Sequence, residues 1–157
     1  MYGGECRACH AERGTLLTYD LDTSLLVAAL TREAATARVQ VWLDQQASAA
    51  LPISDWIVTE FASALSMKIR MHQLRTEDRA NAMSVFTRLK AESLIVVPVA
   101  RAHFLAAARF AEQHALGLRA GDALHVAIAA EQGATICTLD KRLAEAAVAP
   151  GIGSELA

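Results

Sequence analysis

The pattern of hydrophobic and polar positions divides the chain into short strands that alternate with helices. Short apolar or alternating runs predict strands at residues 16–21, 52–53, 94–97 and 134–139. Apolar residues at helical spacing predict helices at residues 34–47, from Ser54 or Asp55 onward, from Thr76 onward, at residues 100–115, from about Asp122 to Gly133, and at residues 141–147. A further helix follows the first strand, with Thr23 or Ser24 as its N-cap. The tail after Pro150 gives little signal.

Strands that alternate with helices predict a three-layer α/β/α domain with a mainly parallel central sheet. The continuous apolar run at residues 94–97 is typical of a parallel strand covered on both faces. In such sheets the ligand crevice lies beyond the carboxyl ends of the strands. Asp22 and Asp140 fall at predicted strand ends, and Glu60 and Asp122 fall in the first turns of predicted helices.

Length and composition are those of one globular domain. The chain has 157 residues, of which 54% are hydrophobic and 20% charged. We expect a loose extension at residues 1–15 and a single domain at residues 16–157. No apolar run approaches the roughly 20 residues of a membrane span, and no export signal is recognisable, so a cytoplasmic protein is expected. The net charge of -2 argues against a broad basic surface for nucleic acid.

Four carboxylic acids stand within largely apolar stretches, namely Asp22, Glu60, Asp122 and Asp140. An isolated charge in apolar surroundings is costly unless it is paired or binds a metal ion. Each acid alone has an ordinary explanation, since the three aspartates could cap helices and the glutamate could be a solvated helix residue. Carboxylates that converge at strand ends would repel one another and need a divalent cation. Mg²⁺ or Mn²⁺ suits such an oxygen site and can support phosphodiester hydrolysis.

Four segments carry a resemblance to a known family. They are Leu-Asp-Thr-Ser-Leu-Leu at residues 21–26, residues 54–65 around Glu60, Leu-Arg-Ala-Gly-Asp-Ala-Leu-His at residues 118–125, and Thr-Leu-Asp-Lys-Arg-Leu at residues 138–143. In order and context they resemble the PIN-domain family, and among its members the VapC-type toxins of toxin-antitoxin pairs. The resemblance covers about the whole chain from Leu16 onward.

This resemblance implies a small endoribonuclease that uses Mg²⁺ or Mn²⁺, forms a homodimer, and is inhibited by a cognate antitoxin whose tail blocks the acidic pocket. The four acids would be metal ligands and would activate water. Ser24 and Thr138, at the family's hydroxyl positions, would orient metal-bound waters or carboxylates. Arg119 and His125 would face RNA phosphate, or would be a surface cation and a packed imidazole.

Two other functions are compatible with parts of the sequence. Asp20 stands two residues before the first acid, where the family often has an aromatic or aliphatic residue. Asp20 and Asp22 together resemble the Asp-x-Asp opening of haloacid-dehalogenase-type phosphatases, in which the first Asp is the nucleophile and the second the acid/base. The second of these alternatives is a catalytically silent binding module that keeps the PIN fold.

The segment Cys6-Arg7-Ala8-Cys9-His10 matches the attachment motif of c-type haem. Haem attachment requires export, a distal axial ligand and a helical wrap, none of which the sequence indicates, and zinc would need two further ligands nearby. We therefore expect no haem and interpret the motif as adventitious.

Overall fold

The computed structural model describes residues 18–46 and 51–157 of the chain. The strands are β1 (Tyr19–Leu21), β2 (Leu51–Ser54), β3 (Leu94–Val97), β4 (Thr135–Thr138) and β5 (Ser154–Leu156). The helices are α1 (Thr23–Leu30), α2 (Thr36–Gln45), α3 (Asp55–Arg70), α4 (Thr76–Glu92), α5 (Arg101–Ala111), α6 (Ala120–Gln132) and α7 (Lys141–Val148), with a short 3-10 helix at His114–Leu116. Within these residues no helix is long and apolar enough to cross a membrane.

The strands are all parallel to their hydrogen-bonded neighbours. β1 pairs with β4 and β4 with β5, while β2 pairs with β3. β1 also packs beside β2, so the three-stranded and the two-stranded sheets adjoin. The prediction of an α/β domain with a parallel sheet is confirmed. Because parallel strands share one direction, the carboxyl ends of β1 and β4 lie at the same edge.

The main core lies between the sheet and the helices that follow β1 and β2. Leu21, Leu25, Ile53 and Phe61 are fully buried there. The rings of Phe61 and Phe86 are 4.4 Å apart between centroids, and they join α3 to α4. Helix α6 is buried at every position from residue 123 to residue 129. The end of α6 at Gly133, which adopts φ 60°, is also confirmed.

Three details differ from the sequence-based expectation. β3 is not covered on both faces, because Ile95 and Val96 are 53% and 40% exposed and the strand pairs only with β2 among the described strands. The tail forms β5, a short strand that pairs with β4 and has only one apolar residue, Leu156, in its sequence. Helix α1 is capped by Asp22 rather than by Thr23 or Ser24.

Some predictions concern segments outside the described residues. The proposed extension at residues 1–15 and the Cys6–His10 motif belong to this part of the chain. The boundary of the domain near residue 16 therefore stays a prediction. The first strand begins at Tyr19 within the described range.

Candidate functional site

The four acids singled out in the sequence lie around one pocket of about 420 Å³. The pocket opens at the carboxyl ends of β1 and β4, between α1, α3, α6 and α7. Its walls include Trp56 of α3 and the side chains that flank the acids. The acids are Asp22, Glu60, Asp122 and Asp140. Residues far apart in sequence thus converge at one edge of the sheet.

Asp22 is held by one hydroxyl group from the first turn of α1 and one from the end of β4. Its Oδ2 accepts hydrogen bonds from the Ser24 hydroxyl, from the Ser24 backbone N–H at 3.2 Å and from the Thr138 hydroxyl at 2.8 Å. Thr138 is fully buried and its Oγ1 accepts from the backbone N–H of Asp140 at 2.9 Å. The Ser24 hydroxyl oxygen accepts from the Leu139 N–H at 3.0 Å. These bonds tie the end of β4 to the start of α1.

Glu60 reaches the same place from the second turn of α3. Its Oε2 accepts from the Thr23 hydroxyl at 2.8 Å and lies 2.7 Å from Nε2 of His125. The same Nε2 lies 3.5 Å from Oδ1 of Asp22. The imidazole therefore stands between the two carboxylates, and its side chain is only 2% exposed.

The electrostatics of this trio follow from burial and mutual attraction. Burial alone would lower the pKa of His125, but its hydrogen bond to Glu60 and the charges of Asp22, Glu60 and Asp20 raise that pKa to about 9. Burial alone would raise the pKa of Glu60. The bond and charge of His125, with smaller effects of Thr23 and Trp56, outweigh burial, so the pKa of Glu60 is lower than usual. Both groups are thus favoured in their charged forms.

Asp122 and Asp140 also serve as helix caps. Asp122 accepts a hydrogen bond from the backbone N–H of Arg119 at 3.2 Å, at the start of α6. Asp140 caps α7 by accepting from the backbone N–H groups of Arg142 at 2.8 Å and Leu143 at 3.4 Å, both through Oδ1. Asp22 caps the start of α1 in the same way, so the N-termini of three helices meet at the pocket. The positive dipole ends of these helices favour carboxylates.

Asp20 lies deeper in the molecule than the four acids. It is 3% exposed in β1 and is not among the residues that line the pocket. Burial is the largest cause that raises the pKa of Asp20 to about 7. The charge of His125 lowers it and that of Asp22 raises it further. A carboxyl group so withdrawn from solvent is poorly placed to attack a substrate.

The donor set fits a hard divalent cation. Carboxylate oxygens of Asp22 and Glu60 lie within 4.8 Å of one another and of Nε2 of His125. Asp122 and Asp140 line the same pocket and add carboxylate oxygens. Oxygen-rich sites of this kind bind Mg²⁺ and Mn²⁺. The acidic cluster can therefore hold a metal ion.

The sequence indicated His125 as an RNA-facing or a packed imidazole, and the structure buries it to 2% exposure. The contacts of His125 and Thr23 with Glu60 were not predicted, nor were the places of Trp56 and Gly121. His125 is three residues after Asp122, a spacing that places both on one side of α6, and this signal could have assigned it to the acids. Nothing in the sequence indicates that Gly121 approaches Glu60. Arg119 is exposed at the N-cap of α6, and its contact with RNA stays a prediction, as do the catalytic and metal-binding roles of the acids and hydroxyls.

Comparisons with known proteins identify the fold and the family of the chain. The PIN domain family model matches residues 19–149. No curated protein matches the chain. Among solved structures, VapBC2 of Rickettsia felis bound to a DNA fragment from its promoter is 17% identical with a TM-score of 0.65, covering 88% of this chain and 98% of that one. VapC20 of Mycobacterium tuberculosis, a sarcin-ricin loop cleaving toxin, is 17% identical with a TM-score of 0.65, covering 85% and 95%.

A third similar structure is VapBC-5 of Mycobacterium tuberculosis, a member of the VapBC family of toxin-antitoxin systems. It is 18% identical with a TM-score of 0.55, covering 88% of this chain and 95% of that one. At such identities the similarity concerns the fold. The family model, by contrast, spans well over half of the chain, from β1 to the end of α7. The chain belongs to the PIN domain family.

Proposed function

We propose that the chain is a Mg²⁺- or Mn²⁺-dependent endoribonuclease toxin that a cognate antitoxin inhibits. The observation that carries this proposal is the convergence of Asp22, Glu60, Asp122 and Asp140 on one pocket. Membership of the PIN domain family supports nuclease activity. The description of VapC20 as a sarcin-ricin loop cleaving toxin supports RNA as the substrate class.

The carboxylates would hold the cation, and the surrounding hydroxyls would fix the carboxylates. When bound, a divalent cation supplies the charge that stabilises the reacting phosphate and favours deprotonation of water. Ser24 and Thr138 restrain Oδ2 of Asp22, so Oδ1 remains directed toward Glu60 and His125. Asp140 uses Oδ1 for its cap, so we propose that its Oδ2 contributes to the site. The pocket is open to solvent, and we propose that the phosphodiester strand binds there.

Partners follow from the same proposal. An acidic pocket at the surface would accept a cationic tail of an antitoxin, and VapBC-5 is described as part of a toxin-antitoxin system. We further propose that the chain forms a homodimer, acts in the cytoplasm, and contacts RNA phosphate through the exposed Arg119.

The phosphatase alternative assigns the nucleophile to Asp20. That role requires a solvent-facing carboxylate, whereas Asp20 is 3% exposed and its pKa is about 7 because of burial. The alternative of a catalytically silent module predicts no RNA cleavage by the wild type, and therefore no effect of changing the acids on cleavage. Helix capping explains three of the four acids singly, but neither alternative gives the four acids a common role at the pocket.

The decisive experiment incubates the purified chain with single-stranded RNA in Mg²⁺, in Mn²⁺, and in excess chelator. We expect cleavage only with metal, and no cleavage by Asp22→Asn or Asp140→Asn. Asp44→Asn, which changes an exposed acid of α2 outside the pocket, is the matched control and should cleave like the wild type. Cleavage that persists in chelator would reject the metal site.

The toxin part of the proposal is tested in cells. Expression of the chain alone should arrest growth, and the Asp22→Asn variant should not. Co-expression with the product of an adjacent small gene should relieve the arrest and yield a complex that copurifies. Normal growth with the wild-type chain alone, at protein levels confirmed by blotting, would count against a toxin.

A further inference from the structure

His125 occupies an unusual place for a histidine. It lies in the middle of α6, a helix that is buried at every position from residue 123 to residue 129, and is 2% exposed. Its neighbours along the helix, Leu124 and Val126, are buried apolar residues. Burial of a polar ring is unfavourable unless the ring makes specific polar contacts. The contacts of His125 therefore explain why an imidazole is present.

Those contacts come from one ring nitrogen only. Nε2 lies 2.7 Å from Oε2 of Glu60 and 3.5 Å from Oδ1 of Asp22. Nδ1, on the opposite side of the ring, is buried and has no hydrogen-bond partner among the described residues. The polar function of the ring is thus directed entirely at the two carboxylates.

The two carboxylates come from different elements and need a common restraint. Asp22 directly follows β1, and hydroxyl groups hold its Oδ2, whereas Glu60 extends from α3 on a side chain with three rotatable bonds. The Thr23 hydroxyl at 2.8 Å restrains Glu60 from one side. Nε2 of His125 contacts both Glu60 and Asp22. It is carried by a third element, the buried helix α6, and can therefore restrain the two carboxylates relative to each other.

We propose that His125 is a positioning residue that sets the spacing of Glu60 and Asp22 for cation binding. This inference rests on the proposed metal-dependent function. The Nε2–H group donates to Oε2 of Glu60 and lies beside Oδ1 of Asp22, and the two carboxylates, which line the pocket, would hold the cation. Groups that orient metal ligands from behind commonly change metal affinity by about 10–100-fold when removed.

The experiment measures Mn²⁺ affinity by calorimetry on purified proteins, without RNA. Glutamine at position 125 carries its amide N–H near the place of Nε2, whereas asparagine carries it near Nδ1. We expect His125→Gln to bind Mn²⁺ about as tightly as the wild type. His125→Asn and His125→Leu should bind about 10–100-fold more weakly.

A second buried histidine offers the matched control. His103 in α5 has a side chain 4% exposed, with Nε2 2.6 Å from Glu131, and it does not line the acid pocket. His103→Gln also removes a buried imidazole beside a carboxylate, but should leave Mn²⁺ affinity unchanged. If the leucine variant fails to fold, the comparison of His125→Gln with His125→Asn decides, because both amides are polar and of similar size.

Several results would overturn the inference. One is a Mn²⁺ affinity of folded His125→Asn or His125→Leu that equals or exceeds that of the wild type. Another is the absence of Mn²⁺ binding by the wild type. The third is a ¹⁴N coupling in the electron paramagnetic resonance spectrum of bound Mn²⁺ that identifies the imidazole as a direct ligand. RNA cleavage is scored separately. If the wild type binds Mn²⁺ with the expected order of affinities but cuts no RNA, the nuclease proposal fails and the positioning role of His125 stands.

Discussion

A methyl group added to Gly121 would stand 2.7 Å from Oε1 of Glu60. Carbon and oxygen atoms cannot approach this closely without a shift, so the first turn of α6 has room for the carboxylate only because residue 121 lacks a side chain. The indole nitrogen of Trp56 lies 3.5 Å from the same point, an ordinary contact. Gly121 therefore belongs to the site, although it has no functional group.

Gly121→Ala should separate stability from function. Alanine favours a helix over glycine by up to about 1 kcal/mol, and the group that must move is the end of a flexible side chain. We expect a melting temperature equal to or above that of the wild type. Mn²⁺ affinity and RNA cleavage should fall because the Glu60 carboxylate is displaced. Calorimetry and thermal melts measure the two effects.

Gly153→Ala is the control for this prediction. Its added methyl would also come within 2.7 Å of a side-chain oxygen, that of Thr135, but outside the acid pocket. Its Mn²⁺ affinity should match the wild type whatever its stability. Equal Mn²⁺ affinities for wild type and Gly121→Ala would show that the close approach has no role in the site.

Thr138 should matter for both the fold and the site. Its hydroxyl donates to Asp22 and accepts from the backbone N–H of Asp140, and the side chain is fully buried. Valine has the same shape without the hydroxyl, so Thr138→Val leaves both partners short of a hydrogen bond. The expected loss in the free energy of unfolding is about 1–3 kcal/mol, measured by urea denaturation. Thr138→Ser should recover most of that loss together with RNA cleavage.

Asp122 has two explanations that can be measured apart. As a cap it accepts a hydrogen bond from the Arg119 N–H, which an asparagine oxygen can also accept. Asp122→Asn should therefore be at least as stable as the wild type in chelator, since one of several repelling charges is gone. Asp122→Ala loses the cap and should be less stable by about 1 kcal/mol.

The response to Mn²⁺ then tests the metal-binding role of Asp122. A ligand specific for the folded state stabilises it by about 2.7 kcal/mol at a hundredfold excess over Kd. Thermal melts in increasing Mn²⁺ should show a smaller shift for Asp122→Asn than for the wild type. An identical shift, combined with a less stable variant in chelator, would leave Asp122 as a structural cap only.

The sequence predicted most of the fold because its apolar periods are strong in the interior. Helix α6 and the run at residues 134–139 were found close to their observed bounds. β5 was missed because a three-residue strand at a sheet edge needs few apolar side chains, and Ser154–Leu156 contains only one. β3 resembles a covered strand in sequence, yet Ile95 and Val96 are exposed, and residue type alone does not indicate what packs against a strand.

The site was predictable in its acids but not in its geometry. Asp22 and Asp140 were predicted from their places after strands and from the resemblance of their motifs. The position of each depends only on the strand that precedes it in the chain. The contact of His125 with Glu60 joins residues 65 positions apart, and the approach of Gly121 to Glu60 joins residues at a similar separation. Such long-range contacts depend on how α3 and α6 pack, which no local pattern encodes.

The last prediction concerns Asp20 and the pH dependence of stability. The pKa of Asp20 is raised by burial from 3.8 to about 7 in the folded protein. Between these two pKa values the folded state keeps a proton that the unfolded state has lost. The contribution of this group to the free energy of unfolding is therefore fully present below pH 3.8 and is lost as pH rises through about 7. Each pKa unit corresponds to about 1.4 kcal/mol.

Asp20→Asn cannot ionise and should remove this contribution. Urea denaturation of wild type and variant in chelator, at pH values from about 4.5 to 7, should give a stability difference that shifts steadily in favour of the variant as pH rises. The change of this stability difference with pH is decisive, because burying the amide of asparagine changes the free energy of unfolding by the same amount at every pH. Asp44→Asn, at an exposed site, should run parallel to the wild type. The Asp20 variant should still cleave RNA, whereas a phosphatase nucleophile could not be replaced. Parallel curves for wild type and Asp20→Asn would mean that Asp20 ionises as it does in solvent, and a phosphoenzyme formed on Asp20 would overturn the nuclease assignment.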